Sequence, residues 1–368
     1  MRTNKNKMLY ISASMIPSEK ANAVHVIRMC DAFAEIGFDV MLLCKTMGKR
    51  EQINEYYGVS DRVKLKNIPI PFRGFFLLLY GFIAALYTVL YRADVVYSRN
   101  LFASFFLVFM GARHHFEIHH ISGNKVIKSL IKIVCQKLAG KIIVITPKLA
   151  EDLSLFFDID KDKILICSDA ASPNQYAFNT SIKENMVVYT GSLYKGKGIE
   201  TILKVANRLP LVKFAIAGGP TRYWGDFYRD LSSENVTYLG WLKSEDIKKL
   251  QSSASILLLP NSPDVFTNDG KDNIGKYTSP LKLFEYMASG RPIIASSIEA
   301  YSYIFANTDP LAVLVPPDSI DDWEKSINSL ISNHSLQEVL ARNAYSLFLK
   351  QFTWVGRAKN IIAQISVR

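Results

Sequence analysis

Apolar and polar positions along this chain change period repeatedly, and each change marks an element. Residues 8–13 form a mostly apolar run with the length of a buried strand. From 23 to 36 the period lengthens. Val26, Ile27, Cys30, Phe33 and Ala34 recur at helical spacing, and Gly37 supplies a helix stop. Strand-length runs return at 40–44, 95–98, 115–118 and 142–146. This alternation predicts a doubly wound α/β domain whose sheet is covered on both faces.

A second alternating series begins at Met186. It predicts strands at 186–190, 212–217, 235–239, 256–259 and 293–296, and helices at 198–208, 244–252, 280–289, 321–332 and 336–348. Between the two series, 161–181 holds a short strand at 164–167 and then Asp, Asn, Ser and Pro173, which reads as a crossing between lobes. The predicted domains are therefore 1–170 and 171–351, with a helix over about 352–368 packing back on the first.

Composition agrees with two globular lobes: 368 residues, 49% apolar and 21% charged. It excludes a disordered chain, a collagen-like repeat and a disulfide-stapled miniprotein. The four cysteines have no metal-finger spacing, so buried free thiols are expected. Lys5 and Lys7 precede an apolar run that Ser12, Ser14 and Pro17 interrupt, so a secretory leader is not expected and the chain reads as cytoplasmic.

Charge changes the picture further. The net charge is +11, and 23 of the basic residues against 15 acidic ones lie before position 170. Such an excess points to an anionic partner: nucleic acid, a membrane surface or a phosphorylated substrate. Lys125, Lys128, Lys132, Lys137, Lys141 and Lys148 fall in a stretch without an acid between Glu117 and Glu151. A wheel over 125–138 puts Val126, Leu130, Ile133, Val134 and Leu138 on one face, with Lys125, Lys128 and Lys132 on the other. That pattern suits a solvated surface helix or a contact with anionic lipid headgroups, and these three lysines are the candidate membrane-surface residues. The run at 75–90, FFLLLYGFIAALYTVL, sits between Arg73 and Arg92. It is shorter than the roughly 20 residues a membrane span needs, so a buried or membrane-grazing helix is expected. A nucleic-acid partner is not expected, because only one basic helix is present and no basic face interleaves with aromatics.

Two segments carry candidate chemistry. Tyr189-Thr-Gly191-Ser192-Leu-Tyr-Lys-Gly-Lys197-Gly198 is a strand, a glycine-bearing loop and a helix start, where backbone N–H groups and Lys197 can meet an anion. Tyr277-Thr-Ser279-Pro-Leu281-Lys282-Leu-Phe-Glu285 follows a long polar loop at 261–276. Glu285 lies among Leu283, Phe284 and Met287, so its carboxylate needs a partner. Ribose hydroxyls, a backbone N–H or an arginine would each serve.

The run SPLKLFEYMASGRPIIAS, after a strand ending in LLLP, resembles the nucleotide-sugar site of the retaining GT-B glycosyltransferases of family 4. VVYTGSLYKGKGIETIL resembles that family's diphosphate loop. VKFAIAGGP and VTYLGWLKSEDIKKLQSSASILLLP resemble its nucleobase-side strands, and FEIHH its acceptor-side strand end. ANAVHVIRMCDAFAEIGFDVMLLC resembles its first helix and second strand, and Phe352-Thr-Trp354 its returning C-terminal helix. The resemblance spans nearly the whole chain. It implies two Rossmann-like domains facing across a cleft, with the acceptor on the first and the donor on the second.

By this resemblance, His119 and Lys197 serve catalysis. Gly191, Ser192, Lys197, Gly219, Tyr277, Ser279, Leu281, Lys282 and Glu285 hold the donor, Glu285 through its ribose hydroxyls. Asn22, His25 and Arg99 lie on the acceptor side. The implied activity moves a sugar with retention from a nucleotide sugar to a lipid-linked or polysaccharide acceptor in cell-surface glycan biosynthesis, at the inner face of the cytoplasmic membrane. No metal and no resident cofactor are expected. Two alternatives stay open: a non-catalytic GT-B scaffold that binds a nucleotide or a partner transferase, and a GT-B nucleotide-sugar epimerase. Three departures from the family pattern bear on donor choice and activity. Tyr277 stands where a first glutamate is common, Ser192 where an arginine is common, and Ala21-Asn22-Ala23 replaces a glycine-rich turn. His114, His115, His119 and His120 form a sequence cluster, but around a strand they alternate faces, which argues against a shared metal.

Overall fold

The computed structural model describes residues 5–18, 20–47, 49–71, 74–183, 185–266, 273, 275–306 and 308–365. Arg73, residues 267–272 and 274 of the polar loop, and 366–368 of the expected C-terminal helix lie outside them. The chain divides into two compact units: Met1–Ser168 with Trp354–Arg368, and Asp169–Thr353.

The first unit is built on seven strands: β1 (Lys7–Ile16), β2 (Asp39–Thr46), β3 (Lys64–Asn67), β4 (Val95–Ser98), β5 (His115–Ile118), β6 (Ile142–Val144) and β7 (Ile164–Ile166). Their order is β3-β2-β1-β4-β5-β6-β7, with parallel pairing throughout. Inner strands β4 and β6 are buried along their whole length because helices cover both faces. Helix Trp354–Gln364 packs on helix Ala21–Glu35 within this unit.

The second unit holds six strands: β8 (Met186–Thr190), β9 (Lys213–Ala217), β10 (Val236–Gly240), β11 (Ile256–Leu259), β12 (Ile293–Ser296) and β13 (Val313–Val315). Their order is β10-β9-β8-β11-β12-β13, again parallel. One core layer gathers Leu283, Phe284, Tyr286 and Met287 with Leu257 and Phe348. The opposite layer gathers Ile202, Leu203, Phe214, Ile216 and Trp323.

In both sheets the order in which strands are added reverses beside the first strand, between β1 and β4 and between β8 and β11. At such switch points the loops after neighbouring strands diverge and leave a crevice at the carboxyl ends. Arg99 follows β4, and Gly191, Ser192 and Lys197 follow β8, at these points; His119 follows β5 and Gly219 follows β9, each one strand further out.

One sequence expectation changes. Helix Lys125–Lys137 is present, but it buries Ile131, Val134 and Cys135, while Val126 is exposed. Apolar residues occupy more than half of its circumference, so packing rather than periodicity chose the buried face. Helix Phe75–Tyr91 is buried on one side and exposed on the other. The four cysteines are buried and free.

Candidate active site

In the first unit the site is assembled around a buried carboxylate. Glu117 lies on β5, and its side chain is fully shielded from solvent. Its Oε1 accepts from Arg357 Nη2 at 2.9 Å and from His119 Nε2 at 2.6 Å, and lies 2.9 Å from His25 Nε2. Tyr97 Oη donates to Oε2 at 2.5 Å. Burial by itself would raise the Glu117 pKa. The charges of Arg357 and His25 and the bonds from both histidines outweigh it and hold the carboxyl well below its usual range. With Nε2 committed to Glu117, His119 turns Nδ1 to Arg99, whose Nη2 lies at 3.1 Å. That arrangement fits a neutral imidazole protonated on Nε2 and accepting on Nδ1. Arg99 Nη1 is shielded from solvent and has no hydrogen-bond partner among the described residues.

Helix Ala21–Glu35 supplies the other predicted acceptor-side groups. Asn22 is exposed, and its amide donates to Ser14 Oγ at 2.8 Å at the end of β1. His25 packs edge-on between His119 and Trp354, with ring centroids 4.9 and 5.2 Å away. His25, Glu117 and His119 offer three possible ligand atoms within 4.8 Å of one another. Both histidines converge on a Glu117 oxygen that already faces the permanent cation of Arg357, which opposes a divalent ion there. The sequence cluster of histidines separates in space. His114 and His115 sit buried at the start of β5, while His119 and His120 lie just beyond its end. Burial pushes both His114 and His115 down to about 4.

In the second unit the loop after β8 is pinned by backbone bonds. Gly191 N–H donates to Ala217 at 2.9 Å, and Leu193 N–H to Gly219 at 3.0 Å. Tyr189 Oη holds the Ser192 carbonyl at 2.7 Å. Gly198 begins helix Ile199–Arg208 with φ of +77°, and a Cβ there would meet the Pro260 carbonyl at 1.9 Å. Glycine is required at this place because the start of the helix touches the end of β11.

Helix Leu281–Met287 is bolted to the end of β8. Tyr286 Oη accepts from Thr190 N–H at 2.8 Å and donates to the Thr190 carbonyl at 3.2 Å, fully buried. This brings Lys282 near Lys197. Burial lowers the Lys197 pKa, and the charge of Lys282 lowers it further. Glu285 is half-exposed and accepts from Lys282 Nζ at 2.7 Å, one helical turn away. Its partner is thus a lysine, in place of the arginine or backbone donor open at the sequence level. Ser279 Oγ accepts from Asp169 N–H at 3.1 Å, which gives it a job in holding the backbone. Tyr277 is buried, with Lys276 Nζ 4.7 Å above its ring. Leu281 opens the helix behind Pro280.

Residues 23–168 match the profile of the family described as "Glycosyltransferase Family 4", and 174–347 match "Glycosyl transferases group 1". Between them the two matches take in most of the chain. The chain belongs to family 4 of the GT-B glycosyltransferases.

Among curated relatives, a glycosyltransferase of Methanocaldococcus jannaschii is 22% identical over 60% of this chain and 58% of its own. The D-inositol 3-phosphate glycosyltransferase of Mycobacterium sp. strain KMS is 24% identical over 53% of this chain and 45% of its own. The chain thus spans about half the length of these relatives. Anabaena HepE, solved with UDP and glucose, has the same fold with a TM-score of 0.72 at 15% identity, covering 97% of this chain and 98% of its own.

Sequence reasoning placed the glycosyltransferase motifs but missed Glu117, Tyr97 and Arg357. A lone acid between Phe116 and Ile118 in a buried strand was the available signal for Glu117. Arg357 gave none, because it lies 240 residues from its partner.

Proposed function

We propose that this chain transfers a sugar, with retention, from a nucleotide-sugar donor to a lipid-linked or polysaccharide acceptor in cell-surface glycan biosynthesis, at the inner face of the cytoplasmic membrane. The observation that carries this reading is Lys197 at the switch point of the second sheet, its pKa lowered by burial and then by the charge of Lys282, whose own partner is Glu285 at 2.7 Å. A desolvated cation beside a second cation gains from an entering anion, and a diphosphate supplies that anion. Glu285 then exchanges its exposed lysine for ribose hydroxyls at small cost, since pairs of this exposure are worth about 0–1 kcal/mol.

The chemistry follows from charge. As the bond from the anomeric carbon to the diphosphate oxygen breaks, negative charge grows on the leaving group. Lys197 and Lys282 therefore stabilise the transition state more than the bound donor. The acceptor oxygen bonds the anomeric carbon from the same face, and its proton passes to the departing phosphate. No protein nucleophile and no metal take part in this scheme. In the first unit, Glu117 fixes His119, and the unpartnered Nη1 of Arg99 is a donor for an acceptor hydroxyl or phosphate.

Lys197→Ala should lower turnover about a hundredfold or more, the usual effect of losing one charge-stabilising donor. It should leave the melting temperature unchanged or higher, because a desolvated, repelled ammonium is removed. A thermal-shift screen with UDP, GDP and ADP identifies the base, and NMR of the product anomer tests retention. Nucleotide binding without transfer from any donor would favour the non-catalytic scaffold, which the Ser192 and Tyr277 departures suggest. Undiminished turnover in Lys197→Ala and Glu285→Ala would refute the proposal.

A further inference from the structure

Helix Phe75–Tyr91 is built the wrong way round for a water-soluble helix. The residues it turns inward are mostly small: Gly81, Ala84, Ala85 and Thr88, with Tyr80 anchored through its hydroxyl to the Ser12 carbonyl at 2.6 Å. Gly81 lies so close to helix Leu101–Phe109 that a Cβ would come within 2.6 Å of Phe102. The residues it turns outward are large and apolar: Phe75, Phe76, Leu78, Phe82, Ile83, Leu86, Val89 and Leu90, with Phe75 73% and Leu90 81% exposed. Small inside and large outside is the pattern of helices packed in lipid, where water does not penalise the outer face. The helix carries no charged residue along its 17 positions.

We propose that this outward face is an insertion surface for an anionic bilayer, with the helix lying in the membrane plane. Its length, about 25 Å at 1.5 Å per residue, falls short of the roughly 30 Å hydrocarbon core. Among the described residues no helix is long and apolar enough to cross a membrane. Charge identifies the occupant. Helix Phe75–Tyr91 packs on helix Leu101–Phe109, which packs on helix Lys125–Lys137, and none of the three contains an acidic residue. The third adds exposed Lys125, Lys132 and Lys137 and the exposed apolar Val126. Lys137 Nζ stands 5.8 Å from the ring of exposed Phe109, and Lys66 Nζ 5.7 Å from Tyr87. Apolar side chains with cations on the same layer match a headgroup boundary, where acyl chains lie below anionic phosphates. A protein interface typically carries about one hydrogen bond per 100–200 Å², and the eight outward residues named above offer no side-chain donor or acceptor.

The inference extends the membrane placement proposed above but is independent of the transfer chemistry, because it is read without turnover. The full chain is sedimented with vesicles of phosphatidylcholine containing 30% phosphatidylglycerol, and with phosphatidylcholine alone. Strong binding to the anionic vesicles and weak binding to the neutral ones is expected. The Phe82→Ser/Leu86→Ser/Leu90→Ser variant should bind at least tenfold more weakly with an unchanged melting curve. Hydrogen exchange of the unmodified protein should slow at 75–91 on vesicles, which tests the face even where the variant fails to fold. The inference is overturned by absent vesicle binding, by equal binding to both lipids, by protection elsewhere in the chain, or by a dimer in solution that protects 75–91 without lipid.

Discussion

A carboxylate with no exposure is tolerated at position 117 because four donors surround it: Arg357, His119, His25 and Tyr97. Removing one cation from such a group leaves a buried charge uncompensated, which typically costs about 3–5 kcal/mol. Arg357→Met should therefore lower the unfolding free energy measured in urea by that order, and adding Glu117→Gln should recover part of the loss. A loss under about 1 kcal/mol would show that Glu117 is held by its histidines alone. The candidate residues of the second unit were more legible than this cluster. Lys197 and Glu285 are announced by glycines, prolines and a polar loop close by in sequence. The worth of Glu117 depends on an arginine from the far end of the chain, and no local pattern encodes that.

Elements were legible where one periodicity dominated and obscure where it did not. β3 reads Lys-Leu-Lys-Asn and lies at the sheet edge, where lysines protect an open strand and leave no apolar alternation to detect. Helix Lys125–Lys137 was recognisable as a helix, but its broad apolar circumference left the buried face to its neighbours. The loop after β8 shows the opposite case, since its glycines mark a contact that only glycine permits. Gly198→Ala forces a left-handed φ on alanine and drives a methyl group into the Pro260 carbonyl. Strain of this kind costs about 1–3 kcal/mol before the clash is added. A calorimetric scan should show the second unit melting at least several degrees lower, and an unshifted transition would mean that the two segments separate freely.

For the whole molecule, pH acts mainly through the first unit. His114 and His115, pushed down to about 4 by burial, fold in the neutral form, whereas an unfolded histidine titrates near 6.5. The unfolded chain therefore binds more protons between these values. Their contribution is complete above pH 6.5 and declines as pH falls toward 4, by up to about 1.4 kcal/mol per unit for each histidine. Glu117, held below its usual range, adds a further loss below about pH 4.5. Urea unfolding followed by tryptophan fluorescence should show the midpoint dropping between pH 7 and 4.5, less steeply in His114→Asn. A flat profile would disprove the assignment. The +11 charge, read at first as a pointer to three kinds of anion, divides by place: lysines at a strand end in one unit, and lysines along a helical layer in the other. The sequence by itself determined the two alternating series, the family and the glycine-bearing loop after β8, because periodicity and glycine spacing are local properties of a chain. Only the tertiary structure decided which acid is buried, which arginine neutralises it and which side of an apolar helix faces outward. Those outcomes depend on groups that meet only after folding.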